Sequence, residues 1–137
     1  MGKNDYESIV PDTSIIIEGV LSKRFADKKI AAKKIVIHEA VLSELEHQAN
    51  MNNQIGFMGL KEISTLREIS KKSGFDIEFS GKRPSATEIK YAKLGEIDSM
   101  IRELAFDTNS VLVTSVEGAA GSGIFSSFTR PNPSYAV

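Results

Sequence analysis

The feature that most limits what this chain can become is the alternation of short β-branched runs with stretches of helical period. Ile35, Val36 and Ile37 form one such run and Val111, Leu112 and Val113 another, each of the kind that fills a parallel strand buried on both faces. A third run at 8–10 is closed by Pro11, whose missing N–H suits a strand end. Between the runs, Ile15, Ile16, Val20, Leu21 and Phe25 predict a helix over 14–26. Val41, Leu42, Leu45 and Ala49 predict one over 39–50, and Leu60, Ile63, Leu66 and Ile69 one over 57–72. Phe75, Ile77 and Phe79 alternate with polar residues, which predicts a half-exposed edge strand. Ser85 with Glu88 has capping-box spacing and opens a short helix, and a further helix after Gly95 carries Ile97, Met100, Ile101, Leu104 and Ala105. Strands returned to the same edge by helices make an α/β domain with a central parallel sheet. At 137 residues there is room for one such domain. It is assigned to 1–117, and the Gly-, Ser- and Pro-rich stretch 118–137 is expected to be a flexible or non-native tail.

Composition removes several functions. With no cysteine there is no disulfide, thiolate zinc site or cysteine nucleophile. A formal net charge of -1 lacks the basic excess of a nucleic-acid coat protein, so an RNA partner would have to be met by local patches or bound cations. The apolar stretches are short and residues 1–7 are polar, so neither a membrane span nor a signal peptide is expected, and a cytoplasmic location is.

In an open parallel sheet the ligand site lies outside the carboxyl ends of the strands, where strand order reverses. Asp12 follows the first strand, Thr114 and Ser115 end a later one, and Asp98 sits in the first turn of the helix leading into it. If these acids and a glutamate of the second helix converge, their repulsion in a partly dry crevice calls for a cation between them. Oxygen ligands point to magnesium or manganese, which activate water and stabilise an in-line phosphoryl displacement. On spacing alone, Asp12 reads equally as an N-cap, and for a lone Asp placed like Asp98 complementing the helix dipole is the commoner role. Glu44 and Glu46 flank the apolar stripe on opposite sides, and projection does not choose between them. The Lys82 and Arg83 loop is the basic segment read as able to meet a phosphate backbone. Zincin, di-iron, phosphate-loop and nucleophile-elbow patterns are all incomplete.

Three segments, Val10-Pro11-Asp12-Thr13-Ser14, Val41-Leu42-Ser43-Glu44-Leu45 and Gly95-Glu96-Ile97-Asp98-Ser99-Met100-Ile101, resemble the PIN domain in order and spacing. The likeness is greatest to the amino-terminal PIN domain of archaeal PIN, ATPase and KH proteins. The resemblance implies a three-layer α/β/α fold and a magnesium- or manganese-dependent endoribonuclease. Asp12, Glu44 and Asp98 would be its catalytic metal ligands, with Ser14 and Thr114 as supporting hydroxyls. It also implies RNA as partner, a possible homodimer and an ATPase module in a longer native chain. The family's usual fourth acid falls here on Val116, with Glu117 one place later as a substitute. That departure keeps open the alternative of a catalytically weak PIN domain that binds RNA or protein within a larger machine.

Overall fold

In the computed structural model, residues 5–93 and 95–114 are described, together with the backbone of 127–129. The chain opens on strand β1 (Asp5–Pro11), whose last four residues are buried on both faces. Two short helices follow, α1 (Thr13–Glu18) and α2 (Val20–Ala26). They replace the single helix expected over 14–26. Gly19 takes a left-handed conformation, φ 74°, and its amide closes α1 on the Ile16 carbonyl, after which the chain restarts in a new direction.

Strand β2 (Ala31–His38) holds the Ile35-Val36-Ile37 run, with Ile35 and Ile37 fully buried. His38 ends the strand and caps helix α3 (Glu39–Asn50), its Nδ1 accepting from the Ala40 amide at 2.8 Å. Helix α4 (Gln54–Ser73) starts three residues before the expected boundary, because Asn53 caps it through the Ile55 amide. It packs closely on α3 through Gly56 and Gly59; a Cβ on Gly56 would stand 2.6 Å from the Leu45 carbonyl oxygen.

Strand β3 (Asp76–Ser80) is the expected edge strand. Helix α5 (Ala86–Lys90) opens on a complete Ser85–Glu88 capping box, and α6 (Glu96–Asp107) leads into strand β4 (Val111–Thr114). Of the stretch 118–137, only 127–129 are described; they form strand β5 (Ser127–Thr129), antiparallel to β4. Whether the rest is tail lies outside the described residues.

The sheet order is β3-β2-β1-β4-β5, and the four strands β3, β2, β1 and β4 are parallel. The expected α/β class with a central parallel sheet is therefore what the chain adopts. β1 and β2 are buried on both faces, which places helices above and below them. The chain builds outward from β1 through β2 to β3, then crosses back to lay β4 on the other side of β1. That reversal opens a crevice at the carboxyl ends of β1 and β4. Among the described residues, no helix is long and apolar enough to cross a membrane.

Candidate active site in the crevice between the first and fourth strands

Asp12 stands at the carboxyl end of β1, held there by its own amide, which donates to the Val113 carbonyl of β4 at 3.0 Å. Its carboxylate is fixed from three directions. Oδ1 accepts from the Ile15 amide at 3.0 Å and from the Ser14 hydroxyl at 2.8 Å, and Oδ2 accepts from the Thr114 hydroxyl. The N-cap reading and the crevice reading of Asp12 are thus both satisfied by one conformation. Ser14 and Thr114 are the two hydroxyls that orient it.

Asp12, Glu44 and Asp98 all line one cleft of about 850 Å³, together with Thr13, Ser14, Gln48, Lys93 and Thr114. A smaller adjoining cleft shares Asp12, Asp98 and Thr114 and adds Arg102. Glu44 reaches the cleft from the middle of α3. Burial pushes its carboxyl above the usual glutamate range, the nearby Thr13 hydroxyl draws it partly back, and repulsion from Asp98 raises it again. The side chains therefore sense one another across the cleft. Yet among the described residues no three acidic or imidazole side chains stand close enough to enclose a cation.

Two buried polar atoms of the cleft lining have no hydrogen-bond partner among the described residues, the Thr13 hydroxyl and the Gln48 carbonyl oxygen. Thr13 is near enough to Glu44 to bias its ionisation, but not in bonding geometry. Buried oxygens of this kind ordinarily find partners. Together with three carboxylates they form an all-oxygen donor set, which fits a hard divalent cation such as magnesium or manganese.

The structure separates the two glutamates that helical projection left equal. Glu46 is taken by Arg83, whose Nη2 donates to it while Nη1 donates to Glu39 at 3.2 Å. Glu44 faces the cleft. Arg83 is thereby tied down on α3, and Lys82 lines a separate pocket with His38, Glu88 and Glu103, so this loop is not among the residues lining the acidic cleft. Glu117 lies outside the described residues. Thr13, Gln48, Lys93 and Arg102 are cleft residues that the sequence reading did not single out as such. Gln48 and Arg102 had a signal: each lies one helical turn beyond an acid of the site, Glu44 and Asp98.

The sequence model of the PIN domain matches residues 9–116, a span that starts in β1 and ends just past β4. This chain belongs to the PIN domain family. An uncharacterized KH and PIN-domain containing protein of Methanocaldococcus jannaschii is 42% identical over 109 residues, covering 80% of this chain. The chain spans only 17% of that relative's length. A solved structure described as a domain of a functionally unknown protein from Methanocaldococcus jannaschii superposes with a TM-score of 0.75 at 42% identity, covering 81% of this chain and 79% of that one. The PIN domain is in general a nuclease fold, and its members are commonly divalent-metal dependent.

Proposed function

We propose that this PIN domain is a metal-dependent endoribonuclease that hydrolyses RNA phosphodiester bonds in the β1–β4 crevice. The observation that carries the reading is the convergence of Asp12, Glu44 and Asp98 on one cleft from three distant segments. Asp12, Glu44 and Asp98 would serve as ligands of magnesium or manganese only with inward movement of their side chains, since as they stand no three acids among the described residues are close enough to enclose an ion. When bound, such an ion supplies an activated water and neutralises charge on the phosphoryl oxygens.

The chain's own contribution is positioning. Ser14, Thr114 and the Ile15 amide stop the Asp12 carboxylate from rotating, so its entropy is already lost before substrate arrives. Burial and Asp98 hold Glu44 toward its protonated form, and positive charge entering the cleft favours release of that proton. The KH domain named in the long relative is a nucleic-acid-binding module, which fits RNA as the common substrate.

The test is cleavage of an end-labelled RNA with manganese, with EDTA, and by Asp12→Asn and Asp98→Asn. Cutting should require the metal and drop by about 100-fold or more in each variant, as expected when a group acting in the transition state is lost. Cutting that survives both substitutions would place the chemistry elsewhere. Val116 at the family's fourth acid position favours a second reading, a catalytically weak module that binds RNA or protein in a larger polypeptide. In that case the parent chain binds RNA but does not cut it under any metal condition.

A further inference from the structure

The acidic cleft cannot attract RNA unaided, since three carboxylates repel the phosphate they would act on. The cations nearest to it are therefore informative. Lys93, in the connection between α5 and α6, lines the main cleft, and Arg102, one turn beyond Asp98 on α6, lines the adjoining one. Among the described residues neither side chain is in an ion pair, whereas Arg83 is committed to Glu39 and Glu46. One ammonium and one guanidinium thus remain available on walls that carry the acids.

Between Ile89 and Ala92, both of which line the cleft, stand Lys90 and Tyr91. Tyr91 is 71% exposed, the highest exposure of any large apolar or aromatic side chain among the described residues. The Lys90 ammonium sits 5.4 Å from its ring centroid, leaving the ring flanked by a cation rather than packed in the core. An aromatic ring left in water beside a charged groove is the arrangement that stacks an unpaired base while neighbouring cations take the backbone.

Resting on the nuclease reading, we propose that Tyr91, Lys93 and Arg102 form a nucleotide-binding subsite on the rim of the acidic cleft. Tyr91 stacks on a base, and Lys93 and Arg102 contact the phosphates on the two sides of the bond presented to Asp12 and Asp98. In a chain of net charge -1 the subsite would meet the polyanion locally, through Lys93 and Arg102 on the walls of the two adjoining clefts.

Binding without chemistry tests this. Affinity for a fluorescein-labelled oligouridylate is measured in EDTA at several low salt concentrations, for the parent chain and for Tyr91→Ala, Tyr91→Phe, Lys93→Ala and Arg102→Ala. Tyr91→Ala should weaken binding by about 5- to 100-fold, the range of one lost base stack, and Tyr91→Phe should retain it. Lys93→Ala and Arg102→Ala should each flatten the dependence of log affinity on log salt by about 0.7, one phosphate contact on a single strand. Circular dichroism confirms that each variant is folded. Parent-like binding by Tyr91→Ala, Lys93→Ala and Arg102→Ala overturns the subsite, whether or not the parent cuts RNA with manganese. If these variants lose affinity as expected while the parent fails to cut, the subsite stands and the nuclease reading falls. A parent chain that binds no RNA even at the lowest salt overturns the subsite, and the cleavage assay with manganese alone then decides the nuclease reading.

Discussion

Glu44 and Glu62 lie on neighbouring helices, and burial pushes both carboxyls above the usual range, but their surroundings differ. Glu62, 4% exposed on α4, accepts from the Ser22 amide at 2.8 Å and from the Ser22 hydroxyl at 2.7 Å, so it serves as a cap for α2 supplied from another helix. The cost of burying it is offset by charge-assisted bonds. Glu44 lies beside an unbonded Thr13 hydroxyl and across from Asp98. Glu62 is buried and bonded into the fold, whereas Glu44 is only partly buried and lines a cleft, where the proposed function gives it a cation to bind.

The largest effect expected from that contrast is in Glu44→Gln. RNA cleavage should fall by about 100-fold or more, while stability rises by about 0.5–1 kcal/mol because an ill-accommodated acid is neutralised. Urea unfolding alongside the cleavage assay reads both numbers, and a loss of stability would make Glu44 a fold-holding acid like Glu62. Gly56→Ala tests whether the α3–α4 contact sets the distance between the two regions. Its methyl group would collide with the Ala49 amide and the Leu45 carbonyl next to Glu44, and should cost about 1–3 kcal/mol in the same titration. A neutral result would mean that α3 slides freely on α4.

Glu62→Gln should cost about 1–2 kcal/mol, the opposite sign from Glu44→Gln, with cleavage per folded molecule retained. Equal behaviour of the two glutamine variants would erase the distinction. The smallest effect concerns pH. Burial lowers the His38 pKa against the opposing influence of Glu39 and Glu103, so the unfolded chain takes up the proton more readily. The stability that neutral His38 contributes is complete above about 6.5 and is lost as pH falls below it through the folded value. Thermal unfolding between pH 7.5 and 5.5 should show this decline, and His38→Asn, which can still cap α3, should flatten it.

Much of the scaffold was legible in the residues. The β-branched runs marked β2 and β4, and the rule that ligands gather where strand order reverses brought Asp12, Thr114 and Asp98 to one place before any coordinates. Gly19 escaped notice because Ile15, Ile16, Val20, Leu21 and Phe25 keep helical spacing across it, so the break is invisible to periodicity. The choice of Glu44 over Glu46 came from family likeness alone. In the folded chain it has a physical reason, since Arg83 in the loop after β3 claims Glu46. No pattern along α4 marked Glu62, because its partner is set by tertiary packing forty residues away. Tyr91 stood out only once its exposure was known, and the spacing of Arg102 one turn beyond Asp98 gained meaning only from its place on the cleft wall.

The bond from Thr114 to Asp12 joins residues 102 positions apart. A nascent chain still on the ribosome and synthesised only as far as α6 holds every acid of the trio but lacks one of the two hydroxyls that aim the first of them. Laying β4 beside β1 and fixing the Asp12 carboxylate are one event, so release before β4 would leave a fragment without a finished crevice.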